Sequence, residues 1–440
     1  VAGEDRLAGL SLLVSIRRVL VGAAGFISAA VAMAGAQTEG RVDPSTHTVA
    51  AVGGLVGSAH ADEISHQLDR RAKLRVLLHP TPLIEGGIAA WTNATGWIDH
   101  KVGLRFGVSY DTLVQGATEA NGDALAAGGD LTLLGQWTVW GQSQGYEGSF
   151  GFNGRNRLRF ARTPPSALGA SIGSLWSTTD GFTDKGWELP EAWFEQKAWD
   201  GRIALRTGQL NIRTLFDTAS LRSARLYFLN TAFSLNPAIP FPLFGAGTAV
   251  FVKPLEDLEL RFGAADAHAR KIDGPFDTLL RSDDVFVVAG LSWTPKWSEE
   301  GHSRIQATGW HTDSTKSNVA NDGEGLSVLM EQRFDESGAT LFLRGAWSDS
   351  RATVIDSMVT AGAGWIPAAG RPADLLGMAF GWGRPHDRWL HDEGVMEVFY
   401  RVQVSAELQL TPDVQVIVHP STAAAADVVT VFGVRVRTAF

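Results

Sequence analysis

The 440-residue sequence contains no cysteine. That absence removes disulfides, thiolate nucleophiles and cysteine-based zinc sites together. A basic excess is missing as well. Lys and Arg number 38 against 47 Asp and Glu, a net charge of −9, which argues against a general nucleic-acid binder. The body of the chain also lacks any run apolar enough for a transmembrane helix, and its mean hydropathy is about zero although 45% of its residues are hydrophobic. What is abundant is glycine, with 49 residues, and tryptophan, with 15. Glycine suits tight turns and close strand packing, and tryptophan suits the edges of a membrane.

The pattern within the chain is period two. In residues 428–440 the even positions Val428, Thr430, Phe432, Val434, Val436, Thr438 and Phe440 form one face, while Arg435 and Arg437 lie on the other. Residues 396–410 alternate as one continuous run, with Met396, Val398, Tyr400, Val402, Val404 and Leu408 opposite Glu397, Arg401, Gln403 and Glu407. A helix would show spacings of three and four instead. The run exceeds the ~5–6 residues usual in soluble sheets and meets the ~9–11 that a tilted membrane strand needs. Alternating segments recur from Leu104 onward, separated by turns and longer polar loops. The expected fold is therefore all-β: a transmembrane, antiparallel, up-and-down β-barrel of about 16 strands, with apolar side chains toward lipid and polar ones toward a wet lumen.

Three segments are expected. Residues 1–36 carry Arg17 and Arg18 before an uncharged run that ends in Ala34-Gly35-Ala36, the pattern of a cleaved signal peptide. Residues 37–100 are a periplasmic lead-in, within which 64–78 suggest a short amphipathic helix. Residues 101–440 are the barrel. Its clearest hairpin turns at Asp200-Gly201, a preferred two-residue turn, and pairs Trp199 with Arg202, Lys197 with Ala204, Glu195 with Arg206 and Trp193 with Gly208. Residues 213–245 form a long connection with a Pro-rich end, Asn236-Pro-Ala-Ile-Pro-Phe-Pro. A stiff loop of that length implies a task, and in a channel the task is to fold inward and narrow the pore.

Leu189-Pro-Glu-Ala-Trp-Phe-Glu-Gln-Lys197, followed by Asp200-Gly-Arg-Ile-Ala-Leu-Arg-Thr-Gly-Gln-Leu210, resembles the carbohydrate-selective outer-membrane porin family of the OprB type. The resemblance continues through Ala307-Thr-Gly-Trp-His-Thr312, residues 338–347, Glu397-Val-Phe-Tyr-Arg-Val-Gln403 and residues 411–420 to the closing strand. It covers roughly residues 100–440 and rests on the order and spacing of its motifs. It implies a sixteen-stranded outer-membrane barrel that passes sugars by diffusion. One departure is clear: family members open with a Trp-Gly-Gly run and a short helix, where this chain has Trp91-Thr-Asn and Gly96-Trp97.

A sugar presents C–H faces to aromatic rings and hydroxyls to charged groups. Inward parity supplies Trp193 and Trp310 as platforms, with Glu191, Glu195, Arg202, Arg206, Glu259, Arg261, Arg344, Glu397, Arg401, Arg435 and Arg437 as polar lining. Opposed pairs such as Glu195 and Arg206 serve equally well to brace the wall. Gly141-Gln-Ser-Gln-Gly145 matches a nucleophile elbow but lacks its strand–turn–helix setting. His386-Asp387 and His391-Asp392 suit a solvated loop better than a metal site. No catalytic residue, metal or cofactor is expected. The leading function is passive, selective diffusion of carbohydrates. A general or anion-preferring porin is the second reading, and an enzyme on a barrel scaffold the third. Expected partners are sugar solutes, outer-membrane lipid and, through Phe440, the barrel-assembly machinery; a homotrimer fits the same fold.

Overall fold

In a computed structural model, the described residues are Ile64, Gln67, Leu68 and 82–440, without 142–144, 270–283, 298–300, 314–321, 335–337, 350–351, 368–372, 406 and 423. The expected signal segment and most of the expected lead-in lie outside them. A helix, α1 (Pro82–Val102), leads into the first strand.

Sixteen antiparallel strands close on themselves. They are β1 (Leu104–Ala117), β2 (Leu125–Trp140), β3 (Glu147–Arg159), β4 (Gly186–Ala198), β5 (Ile203–Leu210), β6 (Gly245–Leu255), β7 (Leu258–Asp266) and β8 (Val285–Trp293). They continue as β9 (Gly301–Thr312), β10 (Gly323–Phe334), β11 (Thr340–Ser348), β12 (Ile355–Trp365), β13 (Leu375–Pro385), β14 (Glu393–Gln403), β15 (Leu408–Val418) and β16 (Val428–Ala439). Each strand pairs with its sequence neighbours, and β1 pairs with β16, so no edge is left for lipid to meet. At the seam Phe440 and Val108 exchange both backbone hydrogen bonds, at 2.8 and 2.9 Å.

The final strand shows how the sequence sets the faces. Phe432, Val434 and Val436 point outward, with Phe432 57% exposed, whereas Arg435 and Arg437 are buried inside. Connections at one rim are short, such as the two residues between β6 and β7. The two longest, residues 160–185 and 211–244, both leave from the opposite rim. Short turns at one rim and long loops at the other are the pattern of outer-membrane barrels, which places the short-turn rim on the periplasmic side. Outward indoles mark both rims, with Trp137, Trp140, Trp199 and Trp297 at the short turns and Trp187, Trp347, Trp382 and Trp389 at the long loops.

The hairpin between β4 and β5 has the expected register: Lys197 opposite Ala204, Glu195 opposite Arg206, Trp193 opposite Gly208. Asp200 and Gly201 take φ values of 56° and 77°, the left-handed geometry that a two-residue hairpin turn requires. The run 396–410 differs from expectation. It is two strands, β14 and β15, joined by a turn in which the Val404 N–H donates to the Leu408 carbonyl at 2.9 Å. Alternation keeps its phase across that turn, which is why it looks continuous in the sequence. Val404 accordingly sits in the turn and not on a lipid-facing strand.

Candidate functional site

The lumen is occupied by the chain itself. Residues 211–244 leave β5, make two short helical turns, α3 (Arg213–Phe216) and α4 (Thr231–Ser234), and return to β6 without leaving the barrel interior. Ile212, Leu215, Phe216, Phe228 and Phe233 on this segment are all fully buried. Phe228 packs on inward-facing Phe399 of β14 and Phe342 of β11, with ring centroids 4.9 and 6.0 Å apart, and on Phe233 at 5.4 Å. Inward phenylalanines would be out of place in a water-filled bore. They are there because the loop gives them an apolar partner.

The loop's backbone is held by polar side chains around the wall. Arg261 donates to the Leu215 carbonyl at 2.7 Å and Gln306 to that of Phe216 at 2.6 Å. Arg304 donates to the Thr218 carbonyl at 2.7 Å, and Glu331 accepts the Ser220 N–H at 2.7 Å. Arg344 reaches the Ala232 carbonyl, and Arg401 that of Leu226 at 3.2 Å. Glu397 accepts the N–H groups of Leu229 and Asn230 at 2.5 and 2.8 Å. Arg435 donates to the carbonyls of Ala224 and Tyr227 at 2.6 and 2.9 Å. Strands β7, β9, β10, β11, β14 and β16 thus each satisfy loop groups that no regular structure would satisfy. Within the loop Arg222 donates to the carbonyls of Asp217 and Ser234. Burial pulls its guanidinium down to about 10, against the opposing pull of Asp217, so it stays charged at neutral pH.

Residues 160–185 fold inward beside it. They carry α2 (Pro165–Ile172) and the buried Trp176, and the Thr231 N–H donates to the Ser177 carbonyl at 3.0 Å, joining the two loops. Glu393 at the start of β14 accepts the N–H groups of Leu175 and Ser421, both at 2.7 Å.

Together the loops leave a gap beside β2 and β3. It is a narrow polar cleft lined by Asp130, Arg155, Asp180, Gly181, Phe182, Asn211, Arg213, Ala224 and Arg225. Two pairs of opposite charge line it, Arg225 with Asp130 at 2.7 Å and Arg213 with Asp180 at 3.1 Å, and Arg155 adds a third guanidinium. Arg225 also lies 3.9 Å from Asp111, which Arg437 holds at 2.6 Å, so the network runs on to the barrel seam. The gap therefore offers donors and acceptors side by side.

The residues predicted from the sequence fall into three places. Arg261, Arg344, Glu397, Arg401 and Arg435 bind the inward loop, as above. Glu191, Glu195, Arg206, Glu259, Arg437, Trp193 and Trp310 are buried on the inner wall. There Glu191 accepts from Asn153 at 3.1 Å, Glu195 pairs with Arg206 at 2.8 Å, and Glu259 pairs with Arg261. Trp193 is only 2% exposed, with the Arg206 guanidinium 3.8 Å from its ring centre. Trp310 is 1% exposed. Neither indole offers an open face. Arg202 is a correction: it follows inward parity but lies in the hairpin turn beyond the last ladder pair and is exposed at the rim. Asp130, Arg155, Asp180, Arg213 and Arg225 were not among the predicted residues. Asp130 and Arg155 have inward parity on β2 and β3 and were accessible to the same reasoning. The other three lie in loops, where no period marks a facing direction.

Comparison with known proteins agrees with this geometry. Porin AaxA of Chlamydia abortus is 23% identical over 310 residues, which span 68% of this chain and 67% of that protein. Porin AaxA of Chlamydia caviae is 25% identical over 243 residues, 53% of this chain and 52% of that protein. The high-pH structure of Pseudomonas putida OprB superposes with a TM-score of 0.65 at 16% identity, covering 80% of this chain and 97% of that one, a likeness of fold. The family model described as carbohydrate-selective porin, OprB family, matches residues 149–440, which hold thirteen of the sixteen strands whole, most of β3, the inward loop and most of the charged gap. By that match the chain belongs to the carbohydrate-selective OprB porin family.

Proposed function

We propose that a neutral sugar crosses this outer-membrane barrel through the charged gap beside β2 and β3, and that the inward loop gives the gap its shape. The observation that carries this reading is the pairing of opposite charges around the gap. Asp130 and Asp180 stand close to Arg225 and Arg213, so each hydroxyl of a polyol finds an acceptor and a donor within one ring's width. Of the residues predicted for solute contact, those that hold the loop act through its position, and the Glu195–Arg206 and Trp193 group forms the wall beneath it. An anion-preferring channel is the second reading, and it would call for guanidinium groups in excess. Two pairs neutralise one another here, and Arg155 adds a third guanidinium to the lining, which is the feature that favours this second reading.

The test is sugar titration of ion current through single channels of the wild type and of Asp180→Asn with Arg213→Gln. That double substitution removes a pair whose side chains are about a quarter exposed, so folding is little affected. Charge-assisted hydrogen bonds contribute about 1.5–3 kcal/mol, so the block constant is expected to weaken about tenfold. Equal block constants would remove the gap from the pathway. Strong anion preference in the wild-type reversal potential would favour the second reading.

A further inference from the structure

The helix α1 lies outside the barrel. It joins β1 through Gly103, whose φ of 71° and whose closeness to the Thr138 carbonyl oxygen (2.5 Å from an added Cβ) leave no room for a side chain. Two contacts then fold it against the outer wall. The Trp91 ring stands edge-on to Phe106 at 5.4 Å, and the Trp137 indole N–H donates to the Val102 carbonyl at 2.9 Å. Phe106 has the parity of Val108, Tyr110 and Val114, the lipid-facing side of β1, whereas Ser109, Asp111 and Gln115 between them are fully buried inside. Trp137 belongs to an outward aromatic row that continues through Phe150, Phe194 and Trp140, with centroids 5.1–6.4 Å apart. The helix is thus continuous with the membrane-facing surface at the short-turn rim.

Its composition suits that place. Among 21 residues only Glu85, Asp99 and Lys101 are formally charged at neutral pH. Trp97 is 63% exposed and Val102 54%, large apolar side chains left uncovered by the described residues. It is nevertheless not apolar enough to cross a bilayer. A helix that carries indoles beside the barrel's aromatic belt and is unable to span fits the interface plane.

We infer that α1 is an in-plane membrane element whose exposed face, Trp97 foremost, rests at the headgroup–acyl boundary of the periplasmic-side leaflet. Phospholipid is the occupant, and the helix extends the barrel's aromatic belt beyond the strands. The chain's lack of cysteine makes the test direct. Single-site variants Trp97→Cys and Ala94→Cys, and a control at exposed Ala424→Cys in the opposite rim's loops, are labelled with an environment-sensitive fluorophore. They are then reconstituted into phosphatidylcholine vesicles, with folding checked by heat-modifiable migration. Phosphatidylcholine brominated near the headgroup is expected to reduce emission at position 97 about twofold while aqueous iodide has little effect. The control should show the reverse. Iodide quenching at 97 and 94 without bromolipid quenching would overturn the inference in favour of a solvated helix. Protection from both quenchers, with cross-linking between copies, would overturn it in favour of a protein interface.

Discussion

Glu397 carries two backbone N–H groups of the inward loop on its two oxygens, far from water. A carboxylate accepts from both at once. An amide at the same place accepts with one atom and points a donor at the other N–H, and alanine accepts from neither. Each buried group left without a partner costs about 1–3 kcal/mol. Glu397→Gln should therefore lower the temperature at which the folded barrel unfolds on a gel, and Glu397→Ala should lower it further. Ion current through both variants should become noisier as the loop loosens. Equal melting of all three proteins would show that these bonds do not hold the loop. That a charged residue stood inward here was legible from strand parity alone. Its partner was not, because Leu229 and Asn230 offer backbone groups from a segment with no periodicity. Arg202 failed for the converse reason. Parity assigns a face, but only the ladder's last pair, Ala198 with Ile203, says where the wall stops.

Elements were more legible than contacts. The alternating segments from Leu104 onward correspond to strands, and residues 428–440 match β16 to within one residue. The merger of β14 with β15 arose because a four-residue turn preserves a period of two. The inward course of residues 213–245 was foreseen from length and proline content, but not its aromatic reason. Phe399 and Phe342 face inward at positions where polar residues were expected, and each is matched by a glycine across the strands. An added Cβ at Gly377 would lie 2.2 Å from the Phe399 ring. Removing the loop's partners should leave those phenylalanines facing water. Replacing residues 220–236 by a short Gly-Ser connection, which keeps β5 paired with β6, is expected to raise single-channel conductance several-fold and abolish sugar block. Conductance unchanged by this replacement would place the constriction elsewhere.

At the scale of the whole molecule, a barrel of this size is expected to hold water, yet its inner wall is largely covered by its own chain. That changes what surface chemistry will report. From the sequence, position 435 faces an aqueous lumen and position 434 faces lipid. In the structure the Arg435 side chain is 1% exposed beneath Ala224 and Tyr227, while Val434 is open on the outer face. A membrane-impermeant thiol reagent should consequently react slowly with both Arg435→Cys and Val434→Cys in lipid, one shielded by the loop and the other by acyl chains. Combining each with the shortened 220–236 connection separates the two causes. Position 435 should then label at least tenfold faster, an opening worth about 1.4 kcal/mol or more in accessibility, while position 434 stays unreactive. Rapid labelling at 434 in either background would contradict the membrane-facing assignment of β16. Rapid labelling at 435 with the loop intact would mean that residues 224–227 do not rest on the wall.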